Sequence, residues 1–147
     1  MLPSWLPPGT RRVGVDTMCF IYRFEANATF LDATEALFDA IERGDVDAVC
    51  SVLVLTELLP LPLRAGREDL ARSYRQIVTR FPNLTLLPVD EAIAMEAATL
   101  RATHQVRSPD ALHLATAIAA RADAFVTADA RLASGSAVPV VLLPQSS

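Results

Sequence analysis

Lysine is absent: the thirteen basic side chains other than the two histidines are all arginines. That excludes mechanisms that depend on a lysine amine. Cysteine is nearly absent as well. Cys19 and Cys50 stand in apolar surroundings without metal-like spacing, so they are expected as small core residues rather than disulfide partners or zinc ligands. No apolar run approaches the roughly 18 residues of a membrane span, and no membrane association is expected. The opening MLPSWLPPGTRR puts its arginines after its apolar part, the reverse of a secretory signal. Residues 1–11 are therefore expected to form a flexible or loosely docked arm, on a cytoplasmic protein. Net positive charge is missing too: a formal charge of -4 gives no general pull toward nucleic acid.

What is present is a chain rich in core-forming residues. Hydrophobic residues make up 52% of its 147 positions, too many for a disordered chain and enough for one domain with a real core. Five short β-like runs recur: RRVGVD (11–16), VDAVC (46–50), LTLLP (84–88), DAFVT (123–127) and VPVVLL (138–143). Helical stretches separate them. FLDATEALFDAIERG (30–44) places Phe30, Ala33, Leu37 and Ile41 on one face and ends at Gly44, a helix with its stop signal. SVLVLTELLPLPLRAG (51–66) starts at a potential Ser51 cap, and Pro60 and Pro62 must end or kink it soon after Glu57. REDLARSYRQIVTRF (67–81) reads as a more polar amphipathic helix, and VDEAIAMEAATLRATHQV (89–106) as one capped by Asp90. RSPDALHLATAIAARAD (107–123) has Ser108 as expected N-cap and Pro109 at the first helical position. Nearly all-apolar strands alternating with helices predict a parallel sheet covered on both faces. The expected fold is one three-layer α/β/α sandwich over residues 12–144, with 145–147 as a short polar tail.

In such sheets, sites gather beyond the carboxyl ends of the strands where strand order reverses. Asp16 ends the first strand and Asp129 follows the fourth in FVTADARL. Glu57 lies on the helix after the second strand, and Asp110 in the first turn of the helix leading to the fourth. Each has a plain structural alternative. Asp16 could cap the following turn, Asp129 could be a turn residue, and Asp110 could answer the helix dipole. Glu57 is the costly one, among Val54, Leu55, Leu58 and Leu59 with no basic residue within four positions. If the four converge, their repulsion destabilises the fold unless a cation neutralises it. An all-oxygen donor set suits one or two Mg²⁺ or Mn²⁺ ions rather than zinc, able to activate water against a phosphodiester. The Thr127 hydroxyl is placed to position a carboxylate or that water.

In this order, and in the phrases VGVDTMCFIY, LTELL, PDALHLATA and VTADARL, the acids resemble the PIN domain family. Within it, the chain is similar to the single-domain VapC-type toxin ribonucleases, from Val13 to Leu143. The resemblance implies a PIN-like, mostly parallel five-stranded sheet in order 3-2-1-4-5. It implies a Mg²⁺- or Mn²⁺-dependent endoribonuclease whose metal acids are Asp16, Glu57, Asp110 and Asp129, with cleavage by metal-activated water. A homodimer inhibited by a small cognate antitoxin is implied as well. Members often carry Asn or Ser two residues after the first Asp. Here that position is Met18, a poor partner for a hard cation, which places more weight on Thr17 and Thr127.

An RNA backbone also needs positive charge, and arginine's planar fork suits phosphate. Arg23, Arg64, Arg67 and Arg107 are the candidates, Arg107 because it lies three residues before Asp110. His113, three residues after Asp110, is expected beside the pocket as a packing or supporting group, as is Thr17. A phosphoryl-transfer or receiver domain is disfavoured by Met18, where a haloacid-dehalogenase-like site needs a second Asp, and by the missing lysine. A stand-alone RNA-processing nuclease shares every catalytic residue with a toxin. A non-catalytic PIN-like RNA- or partner-binding protein would have no reason to bear four converging acids.

Overall fold

The structure, a computed structural model, describes residues 1–133 and 137–147. Five strands, β1 (Arg12–Val15), β2 (Asp47–Ser51), β3 (Leu84–Leu87), β4 (Ala124–Thr127) and β5 (Val140–Leu142), form one sheet in order β3-β2-β1-β4-β5. Every neighbouring pair is parallel. The helices are α1 (Thr17–Phe24), α2 (Leu31–Arg43), α3 (Val54–Leu58), α4 (Pro60–Arg64), α5 (Glu68–Arg80), α6 (Glu91–Thr103) and α7 (Ser108–Ala119), and a 3₁₀ turn covers Ala130–Ala133. This is the expected α/β/α sandwich with the expected strand order.

Alternation along the strands divides the core in two. Val13, Val15, Ala124 and Val126 pack with α1, α2, α3 and α5 residues such as Phe20, Leu37, Ile41 and Val78. Phe125 faces the other way, with Ile93 and Leu100 of α6 and Leu114 of α7. Between Val13 and Val15, Gly14 faces α7: a Cβ there would lie 2.6 Å from the Ala117 Cβ and 3.0 Å from Phe125 Cδ1. Glycine is required at this close approach of helix to strand.

Local chemistry explains most element ends. Gly44 takes φ 83° and terminates α2, a left-handed position that costs glycine little. The Asp90 carboxylate accepts from Ile93 N at 2.9 Å and caps α6. Pro60 and Pro62 divide the helix after β2 into α3 and α4.

Several expectations need correction. Ser51 is not a helix cap. Its pairing with Leu87 keeps it in β2, and its hydroxyl accepts from Leu53 N at 3.2 Å. Ser108 is not the cap of α7 either: the Arg107 carbonyl accepts the first helical bond from Ala111 N, which makes Arg107 the cap. β5 is shorter than 138–143, because Val140 is its first paired residue. The first eleven residues contain no helix or strand, and several of them dock on the domain. Leu6 is 4% exposed within the main core, Trp5 and Leu2 pack against it, and the N-terminal amine pairs with Asp45. The tail is tied down in part, Ser146 N donating to Thr29 O at 2.6 Å. Cys19 and Cys50 are free, buried thiols, as expected. No helix among the described residues is long and apolar enough to cross a membrane.

Candidate functional site

β1 lies between β2 and β4, so the strand order reverses there and a crevice opens at the carboxyl ends. Asp16 occupies it. Its amide donates to Val126 O at 3.1 Å, extending the β1–β4 ladder by one residue. Although it precedes α1, its side chain makes no capping hydrogen bond. The carboxylate is buried, 6% exposed, and Oδ2 accepts from Thr127 Oγ1 at 2.6 Å. The simple capping role is therefore excluded for Asp16. The Thr127 oxygen in turn accepts from Asp129 N at 3.1 Å, which ties the loop after β4 to the same hydroxyl.

Glu57 projects from α3 toward α1 and α7. Its Oε1 accepts from Thr17 Oγ1 at 2.8 Å and lies 2.6 Å from His113 Nε2, which is itself 3.1 Å from Thr17 Oγ1. Opposite a carboxylate, Nε2 is the nitrogen that carries the proton. The other ring nitrogen, Nδ1, is buried without a hydrogen-bond partner among the described residues, a cost that the short Glu57 contact offsets. The hydrogen bond from His113, aided by Thr17, holds the Glu57 carboxyl below its ordinary range. Glu57 thus has a hydrogen-bond partner after all, 56 residues away in sequence and invisible to local inspection.

Asp110, in the first turn of α7, behaves oppositely. Burial and then the fields of Asp16, Asp129 and Glu57 push its carboxyl above the ordinary range. Asp129 is held below the ordinary range chiefly by Arg131, with a smaller contribution from Arg107. Arg131 grips both Asp129 oxygens, with Nε at 3.0 Å from Oδ1 and Nη2 at 2.7 Å from Oδ2. Arg107, Asp110, Asp129 and Arg131 line one small cleft of about 80 Å³.

Asp110 thus feels the fields of the other three expected acids, while Thr127 holds Asp16, and Thr17 and His113 hold Glu57. The arginines divide. Arg107 joins the rim. Arg67 lines a groove that includes Glu57 but is paired with Asp69 at 3.1 Å, and Arg64 is exposed at the end of α4. Arg23, a candidate for phosphate contact, instead lines a separate cavity with Asp39, Glu42 and Phe81. Met18 is partly buried on α1. Arg131 escaped sequence inspection, although an arginine two residues after the last acid in TADARL was a usable signal.

The donor set fits a hard divalent cation: four carboxylates and no thiolate at the rim. Burial first, and then its acidic neighbours, raise the Asp110 carboxyl, and a cation at the rim would favour its ionised form. Among the described residues, however, no three His, Cys, Asp or Glu side chains close around one ion position. Each of the other three acids is engaged locally, Asp16 by Thr127, Glu57 by Thr17 and His113, and Asp129 by Arg131.

A parallel 3-2-1-4-5 sheet with an acidic crevice at its reversal point defines the class of this protein. The sequence pattern of the PIN domain matches residues 13–136. The chain therefore belongs to the PIN domain family. Similar solved structures include VapBC2 from Rickettsia felis bound to a promoter DNA fragment, with TM-score 0.72, 15% identity, and coverage of 92% of this chain and 99% of that one. FitAcB from Neisseria gonorrhoeae gives TM-score 0.66 and 18% identity over 88% and 96% of the two chains. Mycobacterium tuberculosis VapC20, a sarcin–ricin loop cleaving toxin, gives 0.67 and 16% over 85% and 95%. At these identities the likeness is one of fold. No curated protein sequence matches the chain significantly.

Proposed function

We propose that this protein is a divalent-metal-dependent endoribonuclease, acting as the toxin of a toxin–antitoxin pair. The observation that carries the proposal is the buried Asp16 carboxylate held by Thr127 at the strand-order reversal, with Glu57 held on α3 and Asp110 and Asp129 lining the adjoining cleft. Family membership and the fold shared with VapBC2, FitAcB and VapC20 support it.

Asp16, Glu57, Asp110 and Asp129 would hold Mg²⁺ or Mn²⁺, as one or two ions. The metal would supply Lewis acidity toward water and phosphate oxygens, and positive charge against developing negative charge. The chain's own residues set the geometry. Thr127 fixes one oxygen of Asp16 and leaves Oδ1 free of any hydrogen bond within the described residues. Thr17 and His113 fix Glu57 through the same oxygen, Oε1, so that Oε2 can face a cation. Arg107 stands at the rim to meet an RNA phosphate, and Arg64 and Arg67 can extend that contact along the backbone. A homodimer and a cognate antitoxin belong to the same proposal.

The test is incubation of purified protein with an RNA pool, with and without Mg²⁺ or Mn²⁺. Metal-dependent cleavage, lost in Asp16→Asn with unchanged circular dichroism, is the expected result. No cleavage of any RNA and no metal binding would overturn the enzymatic reading. Growth arrest on expression of wild type but not of Asp16→Asn is expected for a toxin, and harmless wild type would indicate a different biological role.

A further inference from the structure

We propose that Arg131 is an exchangeable counter-ion: it holds Asp129 while the rim lacks a divalent cation, and passes to an RNA phosphate when the cation takes its place. This inference rests on the nuclease reading above and assigns a positioning role to a residue outside the acidic set.

The geometry supports exchange rather than permanent pairing. Asp129 Oδ1 receives Arg131 N at 2.9 Å and Nε at 3.0 Å, and Oδ2 receives Nη2 at 2.7 Å and Nε at 3.2 Å. The guanidinium thus occupies the carboxylate face through which Asp129 would meet an ion. Both cations cannot use that face together. The Arg131 side chain is 74% exposed and Asp129 27%, so the guanidinium reaches its partner from the solvent side and can leave by the same route. Breaking it leaves Asp129 aligned, because the backbone bond from Arg131 N and the bond from Asp129 N to Thr127 Oγ1 at 3.1 Å do not involve the guanidinium.

The released side chain has a place to go. It shares the cleft of Arg107, Asp110 and Asp129, so it swings free beside the acids at which phosphate would react. There, the planar fork that matched a carboxylate matches a phosphate equally well. The cation and the RNA then bind with mutual support: the ion frees the arginine, and the arginine adds a phosphate contact.

The test compares wild type, Arg131→Gln and, as an exposed control, Arg80→Gln. Mn²⁺ binding is measured without RNA by electron paramagnetic resonance of the free ion. Binding of a single-stranded oligoribonucleotide is measured across a salt series, once with EDTA and once with Ca²⁺ in place of Mn²⁺ to limit turnover. Arg131→Gln is expected to bind Mn²⁺ about two- to fivefold more tightly, the range set by losing an exposed ion pair. With Ca²⁺, its plot of log affinity against log salt is expected to be shallower by about 0.7, the loss of one phosphate contact on a single strand. With EDTA its slope should equal that of wild type, and Arg80→Gln should match wild type throughout. Unchanged or weaker Mn²⁺ binding in Arg131→Gln, or an unchanged slope with Ca²⁺, overturns the inference. If wild type binds Mn²⁺ and cleaves RNA while Arg131→Gln behaves identically, only this inference fails. If neither protein binds Mn²⁺, the nuclease reading fails with it.

Discussion

The Thr127 hydroxyl donates to Asp16 Oδ2 at 2.6 Å, joining the last residue of β4 to the first residue beyond β1 across 111 positions of sequence. Both groups are buried, and the same oxygen accepts the Asp129 amide. One hydroxyl therefore sets the orientation of two of the acids.

Replacing it tests that arrangement. Thr127→Val keeps the volume and removes both bonds, leaving a buried carboxylate oxygen without its donor. A stability loss of about 1–3 kcal/mol is expected, read as a lower urea midpoint. RNA cleavage should fall by more than the unfolded fraction explains, and Thr127→Ser should restore most of it. Full activity in the valine variant would remove Thr127 from the site.

Asp110 gives a prediction of opposite sign. Its carboxyl is raised in the fold by burial and by its acidic neighbours. A raised carboxyl destabilises the fold once pH rises through the ordinary carboxylate range, because ionisation is then penalised. In the metal-free protein at neutral pH, Asp110→Asn should therefore raise Tm, whereas near pH 3 the two proteins should coincide. After solvent screening the gain is under about 1 kcal/mol, roughly 2–4 °C for a chain of this size. Saturating Mn²⁺ should stabilise wild type by about 2.7 kcal/mol at a hundredfold excess over Kd and the asparagine variant by less.

Glu57 runs the other way. The His113 hydrogen bond lowers its carboxyl, so the ionised form stabilises the fold above the ordinary carboxylate range. That contribution is lost as pH falls through the lowered value. Glu57→Gln should be less stable than wild type at pH 7, with the difference closing on acidification. Thermal melts of both proteins from pH 7 to pH 3 measure it. A constant difference across that range would mean that ionisation of Glu57 contributes nothing.

Gly14→Ala probes the helix–sheet contact. The added methyl would meet Ala117 at 2.6 Å in a packed interior, an overpacking that typically costs about 1–3 kcal/mol. Denaturant unfolding should show a lower midpoint at unchanged slope.

The sheet and most helices were legible because burial is written into local patterns. Phe30, Ala33, Leu37 and Ile41 mark one face of α2, and the short apolar runs mark the strands. The acids were legible for a related reason, since a carboxylate such as Asp16 between apolar runs has few structural roles. What sequence inspection missed depends on contacts between distant residues or on competition at element ends. Glu57 seemed unpartnered because His113 and Thr17 reach it only through the fold. Ser51 and Ser108 carry cap chemistry, but strand pairing claims the first and the Arg107 carbonyl displaces the second. The Arg131 fork over Asp129 spans a single intervening residue, Ala130, and the spacing in TADARL was its one local signal.

The bare backbone at Gly14 has a consequence beyond packing. Asp16, Thr127 and Asp129 follow the hydrogen-bonded register of the sheet, whereas Asp110 and His113 ride on α7. The two groups are thus measured by different rulers, and the standoff of α7 from β1 at Gly14 and Ala117 sets one against the other. A methyl at that point would tilt or lift the helix about two turns below Asp110, widening the acidic mouth from one side only. The aperture of the acidic crevice is therefore gauged by a side chain that the sequence omits.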